Sequence, residues 1–106
     1  MIEECQVGLR RGALRFSRRD YDRFLAGIEA VVLLRDGADL LILPVREAHA
    51  GGYLLKQANL AGDRTAHVAG FLRDQGADDE VELTRSAAWN EERAALILAG
   101  FFGLQT

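Results

Sequence analysis

The chain has 106 residues, a formal net charge of −3 at pH 7, and 49% hydrophobic against 27% charged residues. This length predicts a single domain over residues 1–106, and the apolar content argues against a disordered chain. The acidic balance argues against a protein that coats nucleic acid without regard to sequence. The only cysteine, Cys5, excludes an internal disulfide, so a reducing compartment is expected.

The chain carries no segment typical of a membrane protein. Its longest apolar run, residues 94–104, spans 11 residues, whereas a membrane-spanning helix needs about 20. The first residues are acidic and then basic, without the apolar stretch of a secretory signal. We therefore expect a cytoplasmic protein without a membrane partner.

A first helix is predicted from its capping pattern. Ser17, followed three residues later by Asp20, fits a capping box. Apolar residues then recur at helical spacing, and Gly27 can end the helix in a left-handed conformation. The pattern predicts a helix over residues 18–26.

A hairpin should follow this helix. Residues 28–35 and 39–45 are rich in branched apolar side chains, and the segment 36–39 between them contains the glycine of a tight turn. Because both segments are apolar on both faces, we expect both faces of these strands to be covered.

The second half repeats this order of elements. A strand over residues 53–58 precedes a second helix, with Asp63 as the expected N-cap and Gly76 as the C-terminal glycine. Two further strands follow. For residues 91–99 we favour a strand because the apolar run is unbroken, and a helix is the alternative.

The resulting fold class is α+β, with two βαββ units over about residues 13–45 and 53–102. It predicts a mainly antiparallel sheet with two helices on one face, and an N-terminal strand over residues 5–9 could extend the sheet. Strand order and a duplication of the two halves stay open. Because the other face of the sheet would be bare, we expect a homodimer; the alternative is a sheet that closes on itself.

The usual catalytic signatures are missing from the sequence. There is no phosphate-binding glycine loop, no nucleophile elbow and no H-E-x-x-H zinc motif. Asp63 and His67 could share a helical face, but neither this pair nor His49 has a third ligand at a suitable spacing. We therefore expect no metal, no cofactor and no catalytic residue. A small enzyme with a carboxylate–histidine site is one alternative.

The most site-like segment begins at the only lysine of the chain. This lysine is expected at a strand end, and a glycine turn and a helix N-terminus, where anions bind readily, should follow it. The residues assigned to this candidate ligand site are Lys56, Asn59, Arg64 and His67. A turn and a helix cap explain the same residues without a ligand, and this structural interpretation is favoured.

A basic segment gives the second alternative, nucleic-acid binding. Residues 9–23 contain six arginines and two aspartates, which gives the segment a local charge of +4. The six are Arg10, Arg11, Arg15, Arg18, Arg19 and Arg23. They are expected on different faces, so a solvated surface is favoured and nucleic acid is not the expected partner. The leading interpretation is a non-enzymatic binding or accessory protein that acts as a homodimer and recognises a small molecule or a protein.

Overall fold

The computed structural model describes residues 3–47 and 52–103. Within them the chain forms nine strands and two short helices. In chain order the elements are β1 (Glu4–Arg10), β2 (Ala13–Phe16), α1 (Arg18–Phe24), β3 (Ala30–Asp36), β4 (Asp39–Val45), β5 (Tyr53–Leu54), β6 (Lys56–Gln57), β7 (Arg64–His67), α2 (Ala69–Asp74), β8 (Glu82–Asn90) and β9 (Ala95–Leu98).

The strands form one antiparallel sheet in the order β5-β3-β4-β9-β8-β1-β2-β7-β6. The sheet is strongly curled, because Cα atoms of β5 at one edge come within 8 Å of those of β7 near the other. The result is a nearly closed barrel. The expected α+β sheet with two helices on one face is therefore wrong. Strands take 47% and helices 13% of the described residues, and the curled strands cover one another's inner faces.

Helix α1 begins where its capping pattern predicts. The Ser17 hydroxyl accepts the backbone N–H of Asp20 at 3.1 Å, so the predicted cap is confirmed. The helix ends at Phe24 rather than at residue 26, and Gly27 follows with φ 78°. The N-terminal strand over residues 5–9 is also present, as the central part of β1.

The predicted hairpin of β3 and β4 is confirmed. Asp36 pairs with Asp39 across a two-residue loop, and Gly37 in that loop has φ 61°. A residue with positive φ at the first loop position matches the twist of an antiparallel pair.

The predicted second helix is wrong in its first half. Residues 64–67 form β7 and pair with β2, and Ala66 is fully buried there. Burial and the hydrogen bonds of this ladder outweigh local helix propensity. Helix α2 therefore starts at Ala69. Its predicted C-terminal glycine is confirmed: Gly76 has φ 74°, and its N–H donates to the Arg73 carbonyl at 2.9 Å.

The remaining strand predictions hold in part. The predicted strand over residues 53–58 is split into β5 and β6. In the segment 91–99, the strand interpretation is confirmed for β9, and residues 91–94 form the turn before it.

The barrel interior is the hydrophobic core. Inward positions alternate along each strand, as in Val7 and Leu9 of β1 or Leu40 and Ile42 of β4, which are at most 2% exposed. Trp89 packs against this core. The barrel therefore has an interior that its own side chains fill, apart from the open end described below.

The outer face of β3, β4 and β9 is also apolar. The side chains that alternate with the inward set there are Val32, Leu34, Leu41, Leu43 and Ile97. Leu34 is 47% exposed, whereas Leu41 is almost fully covered by its surroundings. We call this set the outer apolar face.

Candidate ligand-binding cleft

The four ligand-site residues assigned from the sequence do not converge in the fold. Lys56 and His67 are exposed and line a shallow depression of about 300 Å³. Arg64 lies on the opposite face of the sheet, because its register partner is the buried Phe16. The ligand-binding role of these residues stays a prediction, but the structure does not join them in one site.

Asn59 and Asp63 instead form two reciprocal hydrogen bonds with a structural role. The Asn59 amide donates to Asp63 Oδ2 at 3.0 Å, and the Asp63 N–H donates to Asn59 Oδ1 at 3.2 Å. The other Asp63 oxygen accepts the backbone N–H of Arg18, in the first turn of α1, at 2.9 Å. These bonds, that from Asn59 first, lower the pKa of Asp63. Asp63 therefore helps to cap α1, not the second helix.

The histidine–carboxylate site is not supported by the geometry of residues 63–67. Asp63 and His67 were expected one helical turn apart, but four residues of extended chain span about 13 Å. In residues 3–47 and 52–103, no three histidine, cysteine, aspartate or glutamate side chains are close enough to hold a metal. His49, the other candidate ligand, lies outside the described residues.

The six arginines of the basic segment are spread over β1, β2, the turn between them and α1. Three form ion pairs: Arg10 with Glu82 at 2.9 Å, Arg15 with Asp63 at 3.4 Å, and Arg18 with Asp22 at 3.5 Å. Arg23 donates to the backbone carbonyl of Glu4, Arg11 lies in the hairpin turn, and Arg19 is exposed on α1. Because nearby carboxylates take up part of this charge, the segment is less cationic than its composition suggests.

Cys5 is not a reactive thiol in this environment. It is 4% exposed on the inner side of β1. Burial raises the pKa of Cys5 to about 12; the negative charge of Asp20 raises it further, and the positive charge of Arg23 opposes this rise. Because the thiolate is the nucleophilic form, Cys5 is inert at neutral pH.

A deeper concavity lies at one end of the barrel, which we call the mouth cleft. It has a volume of about 590 Å³, within the usual range for small-molecule sites. It lies where β3, β8, the end of α2 and the turn after β9 meet. Its lining residues are Arg35, Gln75, Gly76, Ala77, Asp78, Val81, Leu83, Arg85, Phe101 and Phe102.

Two arginines enter the cleft from inward positions of the sheet. Arg35 is paired across β3–β4 with the buried Leu40, and Arg85 is paired across β8–β1 with the buried Val7. Directly opposed residues of an antiparallel pair share a face. Both side chains therefore belong to the inner face, at the end where the barrel opens.

Arg35 is held in one orientation. Its Nε donates to the Gly37 carbonyl at 2.8 Å, and its Nη1 donates to the Gln75 carbonyl at 3.3 Å. The guanidinium also lies 4.5 Å from the ring centre of Phe102. Hydrogen bonds and a cation–π contact thus fix this positive charge, and no carboxylate within residues 3–47 and 52–103 forms an ion pair with it.

Phe101 and Phe102 form the aromatic wall of the cleft. Their ring centres are 5.0 Å apart at an interplanar angle of 85°, an edge-to-face pair. The Phe102 N–H donates to the Ala38 carbonyl at 2.8 Å, which ties this turn to the β3–β4 loop. The wall is therefore anchored to the strand pair that carries Arg35.

The acidic segment after α2, residues 78–80, contributes Asp78 to the lining of the cleft. Asp79 is paired with Arg73 at 2.6 Å, and Asp78 Oδ1 accepts the Glu80 N–H at 2.8 Å. Of the described residues that line the cleft, one is an acid, Asp78, and two are arginines. Among the described residues, the lining offers two guanidinium groups, one carboxylate and two aromatic rings, which can contact a ligand through charge and through ring packing.

Sequence reasoning missed this site, although a signal was available. Along β8 the inward positions read Leu83, Arg85, Ala87, and along β3 they read Val31, Leu33, Arg35. An arginine at an inward position of an otherwise apolar strand marks either a strand end or a polar site in the interior.

Comparison with protein-family models, with curated proteins and with solved structures finds no match for this chain. Neither described helix has the length and apolar character that crossing a membrane would require.

Proposed function

We propose that the protein is a non-enzymatic binding protein that holds a small molecule in the mouth cleft. The observation that carries this proposal is the combination of a 590 Å³ concavity with an aromatic wall and convergent polar groups at the open end of a barrel. Ligand sites favour such barrel mouths, with mostly apolar walls and a few oriented polar groups.

The proposal is tested with a neutral apolar fluorophore, N-phenyl-1-naphthylamine, whose emission rises in an apolar site. We expect saturable binding to the wild-type protein. Phe101→Ala, which removes part of the wall, and Ala77→Phe, which fills the space, should each weaken binding at least severalfold. Leu34→Ala is the matched control, because it removes an exposed apolar side chain outside the cleft.

Two results would contradict the proposal. The first is an absence of saturable binding to a folded wild-type protein. The second is binding that Leu34→Ala weakens and that Phe101→Ala and Ala77→Phe leave unchanged, since the probe would then sit on the outer apolar face.

The homodimer remains part of the proposal, but its interface is now assigned to the outer face of the sheet. The curled sheet covers the inner faces that a second subunit was expected to cover, but the outer apolar face is left for a second copy of the chain. With strands about 4.8 Å apart, it has an area on the order of 300 Å². A stable interface buries about 800 Å² per partner, so a dimer on this face should be weak and should depend on concentration.

Sedimentation equilibrium over a range of concentrations tests this dimer. We expect a reversible rise in mass toward twice 11.7 kDa, which Leu34→Glu abolishes. Leu60→Glu is the control, because Leu60 is fully exposed in the β6–β7 turn. A mass of one chain at all concentrations would contradict the dimer without affecting the ligand site.

Nucleic-acid binding through the basic segment is the weaker alternative, because three of its six arginines are paired with carboxylates. A cytoplasmic location also stays a prediction.

A further inference from the structure

We propose that the ligand of the mouth cleft is a small planar aromatic anion, whose carboxylate or phosphate group is bound by Arg35 and Arg85 and whose ring packs on Phe101 and Phe102. This inference rests on the proposed function, because it assigns a ligand class to the same site.

The first observation is the unpaired charge of Arg85. Its guanidinium lies 6.0 Å from the ring centre of Phe101, and within the described part of the chain it has neither a carboxylate partner nor a hydrogen-bond acceptor. The side chain is half-buried at an inward position. A partly desolvated guanidinium without an acceptor is a recognition element for an anion, because a charge-assisted hydrogen bond offsets the cost of its desolvation.

The second observation is the preorganisation of Arg35. Two of its five N–H groups are bound to carbonyl oxygens, which leaves three for a ligand. Because these bonds and the Phe102 ring fix the guanidinium before binding, little side-chain entropy is lost when an anion is bound. Two arginines on one concavity match the bidentate oxygens of a carboxylate or phosphate.

The third observation is the aromatic wall beside these charges. The edge-to-face pair of Phe101 and Phe102 presents ring faces and edges to which a flat ligand can pack. The side-chain charges of the described residues that line the cleft sum to +1, from two arginines and Asp78, in a chain whose net charge is −3. This local reversal of sign selects an anion over a cation of the same shape.

Isothermal titration calorimetry with 2-naphthoate and with the neutral naphthalene-2-carboxamide tests the inference. We expect 2-naphthoate to bind the wild-type protein at least about tenfold more tightly than the carboxamide. This ratio corresponds to the free energy of one charge-assisted hydrogen bond. Arg85→Gln should reduce this preference severalfold, and Arg35 should supply what remains. The matched control, Arg10→Gln, should keep it, because Arg10 is exposed outside the cleft in a surface ion pair. Asp78→Asn should strengthen binding of the acid.

The outcomes separate the two proposals. Equal binding of acid and amide by the wild-type protein, or a preference of unchanged size in a folded Arg85→Gln protein, overturns the anion assignment and leaves the small-molecule site standing. Binding of neither compound overturns both. If Arg85→Gln does not fold, the wild-type preference for the acid is followed as sodium chloride is raised. A preference that falls with salt supports the assignment, and one that does not change contradicts it.

Discussion

Replacement of Gly12 tests the packing of the β1–β2 hairpin against α2. Gly12 is buried in the two-residue turn of this hairpin with φ 79°, and its carbonyl accepts the Val68 N–H at 2.7 Å. A Cβ atom at this position would lie 2.6 Å from the Cβ of Ala69, the first residue of α2. Gly12→Ala therefore adds backbone strain and an overlap in one step.

The magnitude follows from these two contributions. A left-handed conformation costs a non-glycine residue about 1–2 kcal/mol, and overpacking in a close-packed site costs about 1–3 kcal/mol. We expect Gly12→Ala to lower the free energy of unfolding by about 2–5 kcal/mol. Gly37→Ala is the control: its φ is 61°, but the added Cβ meets nothing within 4 Å, so only the strain of about 1–2 kcal/mol applies.

A double-mutant cycle separates the overlap from the strain. In an Ala69→Gly background the clashing methyl group is gone and the nearest remaining atom is the Cα of residue 69, at 3.2 Å, so Gly12→Ala should cost less than it does in the wild-type background. Urea unfolding, followed by the fluorescence of the only tryptophan, Trp89, measures the four stabilities of the cycle and that of Gly37→Ala. The reasoning is refuted if Gly12→Ala costs no more than Gly37→Ala in the wild-type background, or if Ala69→Gly does not reduce its cost.

Three further predictions concern single side chains. The folded-state pKa of Asp63 is lowered from its usual 3.8, so its contribution to stability should be complete above that pH and disappear as pH falls through the folded value. Asp63→Asn should therefore destabilise the protein at pH 7 and have less effect in acid; urea unfolding at several pH values checks this, and a pH-independent cost would contradict it. Cys5, with a pKa of about 12, should react with Ellman's reagent at pH 8 only after unfolding, and rapid stoichiometric labelling of the native protein would be the contrary result. Ser17→Ala removes the cap of α1 and should cost about 1 kcal/mol in the same urea assay, whereas an unchanged midpoint would show that the hydroxyl does not cap the helix.

Local sequence signals predicted the elements that depend on near neighbours. The Ser17 cap, the hairpin loop at Gly37 and the C-terminal Gly76 each depend on residues within a few positions, and the structure confirms all three. Helix caps and tight turns of this chain can therefore be predicted without knowledge of the tertiary structure.

The errors lie where distant strands decide the structure. Residues 64–67 have no local preference that excludes a helix, but their pairing with β2, about 50 positions earlier, makes them a strand. The same strand pairing curls the sheet into a barrel, so no helical layer is needed on its inner face.

The mouth cleft was missed for a related reason. It joins Arg35, Arg85 and Phe101 from three distant parts of the chain, and their common location depends on the register of β3 with β4 and of β8 with β1. A ligand site was instead predicted in segment 56–67, because its polar residues are close together in sequence. The fold divides these residues between two faces of the sheet.

The most direct test of the central claim is to locate bound ligand in solution. We would titrate ¹⁵N-labelled protein with neutral 2-naphthol and follow the backbone amide resonances by NMR. The mouth cleft as the binding site predicts saturable shifts at Gly76, Ala77, Arg85 and Phe102, with little change at His67. Shifts confined to the segment 56–67, or to the outer apolar face, would contradict it.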